Sequence, residues 1–252
     1  MTITTEEELV RLKAIGRICA IARDTMTAAL EPGMTTRELD DIGRKVLEEQ
    51  GARSAPEVTY QFPGATCISV NEEVAHGIPG ERVIAAGDLI NIDVSAEKDG
   101  IFADTGASYI VPPGGNRQLE KLCRDGKKAM WAGIRAVRAG GRLADIGNAI
   151  GKFAGSNGYT LLRNLASHGI GYGLHDDPGE IPTWPDRSER RRIADGLVFT
   201  VEPFLSLGGQ MAEEKSSDDP WTLVSFPQAP CVQYEHTIVA TRSGAVVVTL
   251  AA

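Results

Sequence analysis

Apolar positions near the start of the chain fall at helical spacing. Thr4 or Thr5 followed by acidic residues supplies an opening cap, Ile15, Cys19 and Ala22 continue one apolar face, and Pro32-Gly33 stops it. Thr35-Thr36-Arg37-Glu38 matches a capping box and opens a second helix through Leu39, Ile42 and Val46 to Gly51. From about 57 to 112 the pattern changes to strand and loop. The order then repeats. A helix runs from about Arg117 to Arg138 and closes at Gly140-Gly141, another carries Asp145-Ile146-Gly147 and stops near Gly158, and strands occupy much of 160 to 250. The stretch 176 to 192 shows no periodicity and is predicted to be a loop beside the site. Helix pair, strands, helix pair, strands predicts an α+β fold with helices covering one side of mostly antiparallel strands.

The second half echoes the first at particular residues. Asp145-Ile146-Gly147 repeats Asp41-Ile42-Gly43, and the segment Ile84 to Asp93 is matched by Ile193 to Glu202, each an apolar run that ends by presenting a carboxylate. An internal duplication is predicted, with half-repeats of about 1–112 and 113–252 making one catalytic domain. Alternation along a strand puts residues i and i+2 on one face. Ile90, Ile92 and Val94 then share a face, leaving Asn91 and Asp93 on the other; Glu202 lies with Thr200, and Glu235 with Gln233 and Thr237. Each acid projects from a polar strip backed by core, where a carboxylate is costly unless a cation or hydrogen bonds compensate it. Asp104 adds a fourth acid, and His168 lies in Ser167-His168-Gly169-Ile170-Gly171.

Four crowded carboxylates repel one another, so some would stay protonated unless cations join them. Asp93, Asp104, His168, Glu202 and Glu235 make a good ligand set for two divalent metal ions, and an oxygen-rich shell with one imidazole suits Mn, Fe, Co or Zn. A pair of such ions lowers the pKa of bound water and polarises a carbonyl, which points to hydrolysis. His76 and His175 each sit in a glycine-rich turn from which a side chain can reach a cleft, whereas His236 faces opposite Glu235 and reads as a structural hydrogen-bonder.

Composition narrows the function classes. A net charge of −8 with no Lys/Arg block argues against a nucleic-acid surface, and the mixed run Arg187 to Arg192 reads as a solvated loop. Cys19, Cys67, Cys123 and Cys231 are scattered without a C-x-x-C pair, so neither a thiolate zinc site nor a disulfide framework is predicted. The N-terminal residues show neither the basic flank nor the apolar core of a signal peptide, and no apolar run reaches membrane-spanning length. A reducing cytoplasm is the expected location.

Six motifs in order carry a resemblance. His76-Gly-Ile-Pro, Asn91-Ile-Asp93, Asp104-Thr105, His168-Gly-Ile-Gly, Phe199-Thr-Val-Glu202-Pro203 and Gln233-Tyr-Glu235-His-Thr together resemble the type I methionine aminopeptidases, over nearly the whole length. The resemblance implies the pita-bread fold, with pseudo-twofold symmetry between its halves. It also implies that Asp93, Asp104, His168, Glu202 and Glu235 hold two metals with Asp104 and Glu235 bridging, that His76 and His175 contact the substrate amide, and that Glu202 handles protons. The implied activity is removal of the initiator methionine from nascent polypeptides whose second residue is small, by a cytosolic monomer for which ribosome association is compatible.

The side-chain pocket departs from the family. Leu174 stands where the family has an aromatic residue, and Thr59-Tyr60-Gln61-Phe62-Pro63 keeps one aromatic in place and shifts the other. Trp221 fits the family's pocket tryptophan, but Leu223 to Cys231 carries Phe226, Pro227 and Pro230 in place of a polar hairpin and a small residue. Phe62, Cys67, Leu174 and Trp221 are the expected slot for methionine. Two rivals share the fold. A prolidase or X-Pro aminopeptidase usually carries an extra N-terminal domain and a different last ligand motif; a non-enzymatic binding protein would be expected to lose ligands, and none is lost here. A type II enzyme would show a long insertion in the second half.

Overall fold

In the computed structural model, which describes residues 1–251, both helices of the first pair start from capping boxes, the second at Thr35 as read in the sequence and the first at Thr5, one of the two threonines the sequence offered. The Thr5 hydroxyl accepts from the Glu8 amide while the Glu8 carboxylate accepts from the Thr5 amide, opening α1 (Glu6–Ala29). Thr35 and Glu38 repeat the device at α2 (Thr36–Glu49). Leu12, Ile15, Cys19 and Met26 of α1 pack with Leu39 and Leu47 of α2 over the apolar face of the first strands.

Those strands are β1 (Arg53–Ser54), β2 (Cys67–Val70), β3 (Glu73–Ala75), β4 (Leu89–Lys98) and β5 (Ile101–Ile110). Antiparallel ladders join β4 to β1, β2 and β5. One element in this stretch departs from the strand-and-loop expectation: α3 (Ala55–Tyr60) is a short helix. Ser54 caps it by accepting from the Glu57 amide, and Pro56 presets its first turn. Six residues are too few to show a helical period, so only the cap and the proline betray it.

The second half begins with α4 (Arg117–Ala136) and α5 (Ala144–Ser156), whose Leu122, Met130, Ile134, Ile146 and Ile150 fill a second core with Phe199 and Val201. The remaining strands are β6 (Thr160–Leu161), β7 (Ser167–Gly169), β8 (Asp176–Ile181), β9 (Val198–Val201), β10 (Phe204–Ser206), β11 (Met211–Ser216), β12 (Asp219–Phe226), β13 (Cys231–Gln233), β14 (His236–Thr241) and β15 (Gly244–Val247). A five-stranded sheet runs β15-β14-β9-β7-β8. The hairpin β11–β12 docks on β3, where Leu223 faces Ala75, and Lys215 reaches back to Glu73.

The predicted loop 176–192 is corrected in its first third. Residues Asp176–Ile181 form the edge strand β8, paired to β7 with Glu180 opposite His168. Only Ile181 of this strand is buried, and it holds Pro178 and Gly179, so it lacks the apolar alternation that marks a strand. Arg191, farther along the irregular segment, donates to the carbonyl oxygens of Pro178 and Glu180.

A seam joins the halves. The Thr237 hydroxyl donates to the Asp104 carbonyl at 2.8 Å and accepts from the Asp104 amide at 2.9 Å. The Thr105 hydroxyl donates to the Glu235 carbonyl at 2.8 Å, and the Glu235 amide donates to the Gly106 carbonyl at 2.8 Å. Two acids from distant parts of the chain are thereby fixed side by side.

Farther from this seam, Asp125 ties α4 to the start of β6. Its buried carboxylate accepts from Lys121 at 2.6 Å, Lys128 at 2.8 Å and the Tyr159 hydroxyl at 2.9 Å. Burial pushes this group up, but the three donors outweigh it and hold it at about 2. The folded value lies below the unfolded one, so this stabilisation is present above about pH 4 and is lost as pH falls through 2. Asp125→Asn is expected to cost roughly 1–2 kcal/mol at pH 7, since both lysines are largely exposed to screening. Urea unfolding checks this: the gap between variant and wild type should narrow as pH is lowered, and equal midpoints at pH 7 would remove the assignment.

Candidate active site

The four acids and His168 meet where β4, β5, β7, β9 and the segment before β14 converge. Asp104, His168 and Glu235 each offer a ligand atom, and these atoms lie within 4.8 Å of one another. His168 Nε2 is 3.4 Å from Glu202 Oε1. Asp93 joins through Gln233, whose amide nitrogen lies 3.4 Å from Asp93 Oδ2 and 2.9 Å from Glu235 Oε2. Asn91, on the same strand face as Asp93, orients that amide by donating to its oxygen at 2.8 Å. Glu202 is held by the Thr200 hydroxyl at 2.6 Å, and its backbone amide donates to Ser167 Oγ. All five residues expected from the sequence are therefore gathered in one place.

The electrostatics of this group call for positive charge. Burial pushes Asp93, Glu202 and Glu235 well above the ordinary carboxylate range, with neighbouring acids adding to it, and Asp104 is pushed up to about 6. Burial presses His168 down to about 3, so its ring is neutral. Asp104 Oδ1 and Glu235 Oε1 are buried with no hydrogen-bond partner among the described residues. Buried carboxylate oxygens without partners are costly, and a divalent cation is the group that would satisfy both. The His168 tautomer fits as well: Nδ1 lies 3.0 Å from the Gly169 carbonyl oxygen, which only accepts, so the lone pair sits on Nε2 toward the acids.

A cavity of about 400 Å³ opens onto this centre, lined by Asp93, Asp104, His168 and Glu202 together with His76 and His175. Enclosure by the cavity walls lowers the pKa of both outer histidines; His175 lowers His76 further, and Glu180 opposes the shift at His175. His76 adopts φ 53°, the left-handed region that non-glycine residues enter at a cost and that clusters at functional sites. The glycines beside the two motif histidines are forced by close approach. A Cβ on Gly77 would stand 2.2 Å from the Ile68 carbonyl oxygen, and one on Gly169 would stand 2.3 Å from that of Asp177.

Phe62, Cys67, Leu174 and Trp221 line the same cavity and form its apolar side. Phe62 and Trp221 meet edge to face with ring centroids 5.4 Å apart. Asp40 on α2 accepts from the Ala65 and Thr66 amides and fixes the loop between Phe62 and Cys67. Trp221 comes from β12, so the slot has one wall from each half.

The Metallopeptidase family M24 model matches residues 10–242. The chain belongs to family M24. Among relatives of this M24 chain, "Methionine aminopeptidase 2" of Bacillus subtilis is 44% identical over 250 residues, covering 99% of each chain. A "Methionine aminopeptidase" of Staphylococcus epidermidis is 43% identical over 249 residues, 99% of this chain and 98% of that one. The crystal structure of methionine aminopeptidase from Rickettsia prowazekii superposes with a TM-score of 0.93 at 34% identity, covering 99% of this chain and 100% of that chain. Prolidase from Pyrococcus furiosus matches with a TM-score of 0.76 at 19% identity, covering 98% of this chain but 65% of the prolidase; it shows the common pita-bread fold. Membership in the family implies use of a divalent metal, which the donor set fits. Among the described residues no helix is long and apolar enough to cross a membrane.

Three neighbours of the site carry no motif signal. Tyr60 reads only as a displaced aromatic, yet its hydroxyl touches His175. Glu180 falls in the stretch taken for a loop, yet it lines the cavity opposite His168. Asp40 looks like an ordinary helix acid. Each acts across the fold, and only the strand or helix that delivers it shows what it meets.

Proposed function

We propose that this metallopeptidase removes the N-terminal methionine from polypeptides whose second residue is small. One observation supports this most directly: two partnerless carboxylate oxygens and a neutral imidazole face one another beside an apolar slot. Asp93, Asp104, His168, Glu202 and Glu235 would hold two divalent ions (Co, Mn, Fe or Zn), with Asp104 and Glu235 shared between them. When bound, such ions supply Lewis acidity toward the scissile carbonyl and lower the pKa of water.

The side chains of the protein do the rest. Phe62, Cys67, Leu174 and Trp221 sheath an unbranched, polarizable thioether and fix the scissile bond in the cavity. Glu202 takes the proton of the attacking water and passes it to the departing amine. His175 donates to the carbonyl oxygen as negative charge develops there, and His76 steadies the amide being cleaved. The reading places this activity in the cytoplasm, in a monomer acting on nascent chain ends, where the ribosome is a natural neighbour.

A peptide panel varying the first two residues, run with Co²⁺- or Mn²⁺-loaded protein, tests the proposal. Met-Ala and Met-Gly peptides should be the best substrates, with norleucine and leucine peptides cut more slowly. One methylene of mismatch in an apolar pocket is worth about 1–3 kcal/mol, so Leu174, smaller than an aromatic, leaves discrimination modest. Leu174→Phe should sharpen the Met-over-Leu ratio. Faster cleavage of X-Pro peptides than of any Met peptide would replace this reading with a prolyl-specific one.

A further inference from the structure

His168 and His175 pack with ring centroids 4.2 Å apart and their planes tilted by 47°, yet their Nδ1 atoms meet different partners. His168 Nδ1 faces the Gly169 carbonyl oxygen, which can only accept. His175 Nδ1 instead lies 2.5 Å from the Tyr60 hydroxyl, which can donate. That hydroxyl makes no other hydrogen bond among the described residues, so Nδ1 is the one protein acceptor its proton has. The ring centroids of Tyr60 and His175 are 5.7 Å apart at 48°, and the contact is made by the hydroxyl rather than by stacked faces.

We propose that Tyr60 is a positioning residue: it donates its hydroxyl proton to His175 Nδ1 and so holds His175 as the Nε2–H tautomer, the opposite of His168. Two adjacent imidazoles are thereby assigned different work. One presents a lone pair and the other an N–H. The inference rests on the role given to His175 above, since an Nε2–H donates to a substrate carbonyl oxygen whereas the other tautomer would turn a lone pair toward it.

Tyr60 is well placed for this. It is the last residue of α3, after which Gln61 turns the chain through a left-handed conformation. Ser54 caps the start of α3, and Arg44 of α2 grips Glu57 through two contacts of 3.0 and 2.6 Å. Partial burial raises the phenol above its ordinary pKa, so it keeps its proton at neutral pH. Tyr60 as a residue is 43% exposed, and removing only its hydroxyl leaves the packing intact.

The test compares wild type with Tyr60→Phe, both loaded with diamagnetic Zn²⁺ and labelled with ¹⁵N in histidine. Ring-nitrogen shifts should show His175 as Nε2–H in wild type and as a mixture in the variant, while His168 stays Nδ1–H in both and serves as the internal control for folding. On a Met-Ala peptide kcat should fall about 10- to 100-fold, the same range as when the outer partner of a metal-ligating histidine is removed, with KM unchanged. Both results are required. An Nδ1–H His175 in wild type, an unchanged tautomer in the variant, or an unchanged kcat each overturns the assignment. The ring measurement needs no turnover: if wild type cleaves no Met peptide, the functional reading fails while the nitrogens still decide whether Tyr60 sets the tautomer.

Discussion

Glu202→Gln should lower kcat/KM on a Met-Ala peptide by about 10²–10⁴, the contribution typical of a general acid–base group. Glu202 sits 3.4 Å from His168 Nε2, with the Thr200 hydroxyl holding one oxygen. The amide keeps the volume and one acceptor oxygen but cannot take the proton. The same centre makes activity depend on metal. Thorough chelation should abolish turnover in wild type, and Co²⁺ or Mn²⁺ should restore it, but neither should rescue Glu202→Gln. Metal content of the variant, read by elemental analysis, separates a lost proton carrier from a lost ligand. Full turnover in wild type shown to be free of metal would sink the dimetal mechanism.

His175→Ala should reduce kcat by about 10²–10³, the usual effect of removing one oxyanion donor, with metal content close to that of wild type. His175 lines the cavity and packs against His168 with the ring planes tilted by 47°, and its Nδ1 is occupied by the Tyr60 hydroxyl. A donor used as charge develops on the carbonyl oxygen affects kcat more than ground-state binding. If the variant is purified with its metals missing, His175 is a ligand and the division of labour between the two neighbouring rings is wrong.

Much of this was readable before any fold was known, because strand alternation is a short-range rule. Asn91 and Asp93 share a strand face, as the spacing requires, and Asn91 does orient the Gln233 amide that reaches Asp93. The starts of the first helix pair were marked by Thr4 or Thr5 with the acids that follow and by Thr35–Glu38, and the capping bonds that form there are local. His236, read as structural, bonds Thr249 with its Nδ1 at 2.9 Å. What escaped was set by tertiary neighbours. The edge strand β8 is stabilised by its ladder to β7 rather than by apolar alternation, and α3 is one short turn fixed by a cap and a salt bridge. The roles open to Tyr60 and Glu180 follow from where those two elements lie.

The seam between Asp104 and Thr237 also has a consequence for the order in which the molecule is made. Its two hydrogen bonds join positions 133 residues apart, so β5 is synthesised long before the segment that faces it. Until then the growing chain carries the acids of β4 and β5 without the residues that face them, and of the proposed ligands it would offer a metal only two carboxylates. Contacts of such sequence separation form late and slowly. On the proposed ligand set, a polypeptide still short of Glu235 would lack a complete metal site, so activity would have to wait until synthesis had passed that residue.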